Sequence, residues 1–279
     1  MVLGCCGETW VVRLSVLPGA LFTIADRLEA LAVTLSVPGL NRCLADLQDN
    51  WSGPSASAAV VALRSLIARV TDVRVLKAAD GRLIVALGDP VTSPCVATYI
   101  PGAGTTVASS GDELSRAAAL RAAAGPDTCV IMWLDYEAPS LLQAVSSRHA
   151  VAGAAALRSF QESLVSNHDG PIRQLTVIGH SYGAVVAGIA ERDGTLLCDD
   201  IVALGSPSLG VRWASELRDP TQVWVSTAAN DPIRLVPGQL RGATSFASAP
   251  FGHGGYFHPD NPALATLAGL VSAQCPRVP

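Results

Sequence analysis

The sequence predicts an α/β fold, a mostly parallel sheet with helices on both faces, preceded by a small N-terminal helical hairpin. Three observations carry that prediction. From residue 72 onward, short apolar runs of strand length alternate with stretches of helical periodicity, and such alternation builds right-handed crossovers onto a doubly covered sheet. The first two runs bracket Ala79-Asp80-Gly81, and an Asp-Gly pair between β-type runs is the strongest short-range hairpin signal. The 279 residues are 49% hydrophobic and only 15% charged, enough apolar material for a sizeable core and too little charge for a disordered chain.

The elements follow in order. Leu21, Ile24, Leu28, Leu31 and Leu35, then Leu40, Leu44 and Leu47, recur at helical spacing around a break at Pro38-Gly39. A second helical run covers 58–70, so two helices flank the turn Asn50-Trp51-Ser52-Gly53-Pro54. In such a turn glycine relaxes the backbone and proline suits the first turn of the next helix. Residues 1–71 therefore read as a helical segment and 72–279 as the larger domain. That domain opens with hairpin strands 73–78 and 82–87. Strand 96–100, helix 112–124, strand 129–134, helix 148–167, strand 175–179 and helix 183–192 follow. Strand 201–204, a short helix at 211–217, strands 222–227 and 243–248 and a final helix at 261–273 complete it.

Several classes of function are excluded. Net charge is −4 with no cluster of basic side chains, so the electrostatic footprint of a nucleic-acid-binding protein is missing. No run of about 20 apolar residues is free of charge, proline or glycine, so no transmembrane segment is expected. The first 30 residues lack a basic stretch ahead of an apolar one, which leaves the localisation open between cytoplasm and export without a classical signal peptide. Leu3-Gly4-Cys5 echoes a lipoprotein cleavage site, but nothing hydrophobic precedes it. Seven cysteines without C-x-x-C pairs or zinc-type histidine spacing argue against a metal site. Cys95 and Cys129 begin two predicted strands and read as buried thiols that would meet only if those strands are neighbours.

The chemistry concentrates at Gly179-His180-Ser181-Tyr182-Gly183, a G-x-S-x-G pattern. Leu175-Thr176-Val177-Ile178 is a buried-strand run ending at Gly179, and Ala184-Val185-Val186-Ala187 starts an apolar helix directly after Gly183. This is the strand, tight turn and helix setting that presents a strained serine at the carboxyl edge of a sheet. A serine hydroxyl needs an imidazole to take its proton and a carboxylate to fix that imidazole's tautomer, supplied here in chain order Ser, acid, His. Asp231, in Asn230-Asp231-Pro232 after a predicted strand, is the acid; His253, in Gly252-His253-Gly254-Gly255, is the base. His258 competes with His253. Asp219 and Asp260 suit turn or cap roles better than that of the acid. His149 and His168 lie at helix ends and read as solvated; His180 reads as packing.

The oxyanion would be held by two amides, that of Tyr182 after the nucleophile and that of Ala103 in the loop Ile100-Pro101-Gly102-Ala103-Gly104-Thr105. A phosphate-binding loop is disfavoured there, since no lysine follows and the G-x-G-x-x-G spacing fails at Val107. Gly102 and Gly104 are candidate substrate-binding residues. So are Asp135 and Tyr136, because Trp133-Leu134-Asp135-Tyr136-Glu137-Ala138-Pro139 follows a strand on the same edge. A loop cap or salt bridge is the competing reading of Asp135 and Glu137.

Residues from about 96 onward resemble an actinobacterial α/β-hydrolase family of uncharacterised function, DUF1023. The resemblance rests on the linked set Tyr99 to Thr105, Trp133 to Pro139, Gly179 to Gly183, Leu204-Gly205-Ser206-Pro207, Asn230-Asp231-Pro232-Ile233 and Gly252 to Phe257. Trp51-Ser52-Gly53 resembles the W-x-G turn of small helical secretion-associated proteins. The resemblance implies an α/β-hydrolase fold and a serine esterase or lipase-like enzyme without metal or cofactor. Its substrate would be a small-molecule carboxylic ester with an acyl or lipid-like chain. Thioester or amide cleavage on the same triad, and a non-catalytic role in which the N-terminal hairpin docks a helical protein partner, are the alternatives.

Overall fold

The computed structural model describes residues 4–6, 9–11, 73–140, 143–144, 146–218 and 223–273. The predicted helices before residue 72, the Trp51 turn and Asp219 lie outside them. The chain divides into two compact units, Met1–Asp72 and Val73–Pro279. In the first, β1 (Gly4–Cys6) and β2 (Thr9–Val11) form an antiparallel pair, with Cys5 opposite Trp10.

The second unit is built on an eight-stranded sheet. Its strands are β3 (Val73–Ala79), β4 (Arg82–Leu87), β5 (Cys95–Ile100), β6 (Thr128–Leu134), β7 (Gln174–His180), β8 (Asp200–Leu204), β9 (Val223–Ser226) and β10 (Thr244–Ser245). They lie in the order β10-β9-β8-β7-β5-β6-β4-β3. The β3–β4 hairpin is antiparallel, β4 runs antiparallel to β6, and the other pairings are parallel. Asp80 and Gly81 both have positive φ, 52° and 71°, as the primed two-residue hairpin turn requires. β3 is exposed along its length and carries a register shift between Val75 and Lys77; a bulge and a lysine are devices that keep an edge strand from pairing further.

The central strands read as unbroken apolar runs because both of their faces are covered. Every residue of β5, β6 and β7 is buried. Helices α1 (Gly111–Ala124) and α4 (Pro262–Val271) pack together on one side; α2 (Arg148–Ser166) and α3 (Tyr182–Asp193) pack together as a second pair. Asn261 caps α4 by accepting the Ala263 amide, with Pro262 in the first turn.

One expectation needs correction, and another, that Cys95 and Cys129 are buried thiols, is met. The short helix at 211–217 is a single 3-10 turn, Ala214–Glu216, because the flanking Trp213, which bridges to Arg241, and Leu217 both have extended backbone. Cys95 and Cys129 do lie on neighbouring strands, but Cys95 pairs with Thr128 and Cys129 with Val96. Consecutive side chains of a strand point to opposite faces, so the two thiols are separated by the sheet.

The strand order matters for the site. The chain passes from β5 to β6 on one side, then returns across β5 to form β7 on the other. The carboxyl ends of β5 and β7 therefore flank a topological switch point, where the loops diverge and open α/β sheets leave a crevice for ligands.

Candidate active site

Ser181 stands at the end of β7 with φ 54° and ψ −121°, a conformation that costs a non-glycine residue roughly 1–3 kcal/mol and persists only when its surroundings enforce it. The enforcement is local. The Ser181 amide donates to the Leu204 carbonyl at 2.8 Å. A Cβ at Gly179 would overlap the backbone of Ala184, and one at Gly183 would overlap the Ile100 carbonyl, so only glycine lets β7, α3 and the end of β5 approach this closely. Ser181 itself is half-buried.

The loop after β5 lies against the serine. A Cβ on Gly102 would sit 2.9 Å from Ser181 Cβ and 3.4 Å from its Oγ, so the main chain at Gly102 passes directly over the hydroxyl and Ala103 follows it. Tyr182 is the first residue of α3, and first-turn amides have no partner within their helix and carry its partial positive charge. Its phenol does separate work, donating to the Ser146 carbonyl at 2.6 Å and accepting the Ala150 amide at 3.1 Å, which fixes the start of α2.

Asp231 and His253 meet. His253 Nδ1 lies 3.0 Å from each oxygen of the Asp231 carboxylate. Because a carboxylate only accepts, Nδ1 carries a proton, and in the neutral imidazole Nε2 is then the nitrogen with the lone pair. Asp231 is 2% exposed. It also accepts the Ile233 amide at 2.9 Å and the Tyr256 hydroxyl at 2.6 Å. Burial alone would raise its pKa, but these donors and the imidazole outweigh burial and hold the carboxyl below the ordinary aspartate range. His253 keeps 40% of its side chain exposed. Its loop is tied to that of Asp231 by Asn230, whose amide donates to the Pro250 carbonyl at 2.8 Å and accepts the Gly252 amide at 2.9 Å.

The competing residues fall elsewhere. His258 is exposed, stacks on Phe251 with centroids 4.5 Å apart and accepts the Asp260 amide. Asp260 is 82% exposed. His149 lines a separate cleft, and both ring nitrogens of His168 meet backbone carbonyls, of Gly170 and Ser93.

Three candidate substrate-binding residues make contacts within the chain. Tyr136 is 2% exposed; its hydroxyl donates to the Pro101 carbonyl at 2.7 Å and its ring stacks between Trp133 and Tyr182. Its hydroxyl thus ties the loop after β5 to the end of β6. Gly104, with φ 80°, turns that loop, and its amide donates to Pro139. Asp135 is paired with Lys77 at 2.6 Å and lines a charged cleft of about 720 Å³ beside β6, together with Lys77, Arg82, Glu137, Arg148 and His149. That cleft includes none of Ser181, Asp231 and His253.

Sequence reasoning missed two supporting residues. Tyr256 holds Asp231, and its position three residues after His253 allows the 3-10 turn Gly255–Phe257 to bring its ring back over the acid. His180, read as packing, is buried but makes a specific contact: its Nε2 lies 2.7 Å from the His253 carbonyl oxygen. The described residues contain no cluster of side chains suited to a metal ion and no helix long and apolar enough to cross a membrane.

The uncharacterized protein Rv2079 of Mycobacterium tuberculosis is 31% identical over 180 residues, 60% of this chain and 27% of its own length. The uncharacterized protein Rv0963c of the same species is 31% identical over 173 residues, 56% of this chain and 65% of its own. The match thus spans about a quarter of the first relative and under two thirds of the second. Among solved structures, a CIB-like hydrolase from Thermoplasma acidophilum is similar at a TM-score of 0.49 and 11% identity, over 72% of this chain and 97% of that one. An esterase from Pyrobaculum calidifontis is similar at 0.46 and 15%, over 75% and 90%. A family model described as alpha/beta hydrolase matches residues 77–241, which takes in the hairpin, the switch point, the serine turn and Asp231. With that match over more than half of its length, the chain belongs to the alpha/beta hydrolase family.

Proposed function

We propose that this protein is a serine hydrolase that cleaves carboxylic esters through an acyl-enzyme intermediate. Ser181 Oγ attacks the acyl carbonyl. His253 Nε2 takes the serine proton and later returns one to the leaving alcohol, and Asp231 holds the imidazole in the required tautomer and stabilises the imidazolium. The amides of Ala103 and Tyr182 receive the oxyanion, a contribution worth roughly 3–4 kcal/mol per donor in enzymes where one has been removed. Water then repeats the sequence on the acyl-enzyme. The observation that carries this reading is the two-oxygen contact of Asp231 with His253 Nδ1 at 3.0 Å, because it leaves the other ring nitrogen as a base.

An apolar acyl chain is the favoured substrate feature. Leu235, Val236 and Phe251 are exposed on the loops that carry Asp231 and His253, offering apolar surface on those loops. The narrower relationship to the actinobacterial DUF1023 group is part of this proposal and is supported by the mycobacterial relatives. So is the assignment of catalysis to residues 72–279.

The test is covalent labelling by a fluorophosphonate with peptide mapping, followed by a p-nitrophenyl ester series of increasing chain length. Labelling is expected on Ser181 and is lost in Ser181→Ala and His253→Ala, with ester hydrolysis falling on the order of 10⁴-fold or more. Folded wild-type protein that does not label sinks the reading.

A further inference from the structure

We propose that His180, the residue before the candidate nucleophile, is a positioning residue that holds the main chain of His253 against the serine turn and so sets the imidazole's distance from Ser181 Oγ. The proposal rests on the Ser181, His253 and Asp231 reading.

The donor can be assigned. A carbonyl oxygen only accepts, so the 2.7 Å contact from His180 Nε2 to the His253 carbonyl requires a proton on Nε2. His180 Nδ1 has no hydrogen-bond partner and is buried, so nothing there stabilises a second proton. Burial first, then the neighbouring imidazole of His253 and the Arg116 guanidinium, lower the His180 pKa to about 3, against opposing contributions from the His253 carbonyl and the Asp231 carboxylate. His180 therefore stays neutral throughout the range in which an esterase works.

Neutrality has a consequence for catalysis. The two imidazole rings lie 4.8 Å apart. A cation at His180 would oppose formation of imidazolium at His253, the charged state through which general-base catalysis passes. A neutral donor ties the loop without that penalty, and an apolar side chain would avoid the charge but lose the tether. The same loop also passes close to Arg116. A Cβ on Gly254 would lie 2.6 Å from Arg116 Nη2, and Arg116 is paired with Glu113 at 2.5 Å, which also accepts the Tyr99 hydroxyl. His180 is thus the hydrogen-bonded link between the strand bearing the nucleophile and the loop bearing the base.

Two variants and one measurement on the unmodified protein test this. The imidazole ¹⁵N spectrum of the wild type should report His180 as the Nε2–H tautomer from pH 5 to 8; an Nδ1–H tautomer or an imidazolium at pH 7 overturns the proposal. His180→Phe keeps the ring and removes the donor. A base displaced by a fraction of an ångström to 1 Å loses on the order of 10- to 100-fold in rate, so kcat should fall by that factor while KM changes less than about three-fold. The fluorophosphonate labelling rate should fall in parallel. His180→Gln, whose amide can still donate to the His253 carbonyl, should recover most of the loss. Equal losses in both variants, or kcat within about two-fold of wild type in His180→Phe, mean that His180 only packs and overturn its role. Failure of the wild type to label is a different result: it removes the triad reading itself, and the role of His180 with it.

Discussion

Two regions at the carboxyl edge of the sheet offer a ligand very different things. Beside β6, the cleft of about 720 Å³ is lined by Lys77, Arg82, Asp135, Glu137, Arg148 and His149, side chains of both signs, among which Lys77 and Asp135 already satisfy each other. Between β5 and β7, a strained serine has a glycine loop pressed against it, and the loops after β9 and β10 bring Asp231 and His253 together as an acid–base pair. Charge marks the first region; local geometry marks the second. Concavity is a useful default for locating a site, but chemistry needs a nucleophile, a base and an orienting group that constrain one another. On the proposed reading the chemistry runs through the second region, and variants in the two should separate sharply.

The largest effect expected after loss of the nucleophile is from Asp231→Asn. An amide in place of the carboxylate removes the charge that stabilises imidazolium and allows the wrong tautomer of His253, a change worth about 10⁴ in kcat where a triad operates. Steady-state hydrolysis of a short-chain ester measures it, and a loss of less than about ten-fold would place the working acid elsewhere. Stability should respond to acid as well. The folded carboxyl lies below the ordinary value of 3.8, so its contribution to stability is full above that value and is lost as pH falls through the lower folded pKa. Asp231→Asn should flatten that part of the fall in Tm between pH 5 and 2.

Tyr256→Phe should act in the same direction with smaller size. It removes the donor to Asp231 at 2.6 Å and the acceptor for the Ala228 amide at 3.1 Å, leaving two buried groups short of a partner at about 1–3 kcal/mol in stability. Loss of a donor to the carboxylate raises its folded pKa, so the acid-side fall in Tm begins at higher pH than in the wild type. A loss of roughly ten-fold in kcat is expected from the looser acid. A pH–Tm curve that superimposes on the wild type would mean that the phenol does not hold Asp231.

The same contrast explains what could be read from the chain. The hairpin turn at Asp80-Gly81 and the serine turn were legible because each rests on backbone conformations that few residues tolerate, and those residues sit next to one another in sequence. Asp231 and His253 were legible because the fold fixes their chain order relative to the serine. Tyr136, Tyr256 and His180 were not. Each is an aromatic or imidazole side chain in an apolar neighbourhood, where packing is the ordinary use, and each acts through one hydrogen bond to a residue distant in sequence. Tyr136 reads as a cleft wall because its segment follows a strand on the carboxyl edge, yet its ring turns inward to Pro101 and Tyr182. The turn at 211–217 failed for the opposite reason: its apolar spacing suits a helix, but the extended backbone at Trp213 and Leu217 and the Trp213–Arg241 bridge prevail over periodicity.

The smallest effect should come from the charged cleft, and it is the result that most sharpens the comparison. Lys77→Ala breaks the 2.6 Å pair with Asp135, but the lysine side chain is 43% exposed, and exposed pairs contribute about 0–1 kcal/mol because solvent screens them and ordering a long side chain costs entropy. For a unit of this size the matching change in Tm is at most about 4 °C. Salt at 0.5 M should erase the difference, since the screening length is then well under 10 Å. Ester hydrolysis should stay within two-fold of wild type, because the cleft shares no lining residue with the serine, acid or base. If hydrolysis instead falls ten-fold with the fold intact, the substrate reaches into the cleft. The two regions would then be one site, with its binding energy drawn from charge and its chemistry from the switch point.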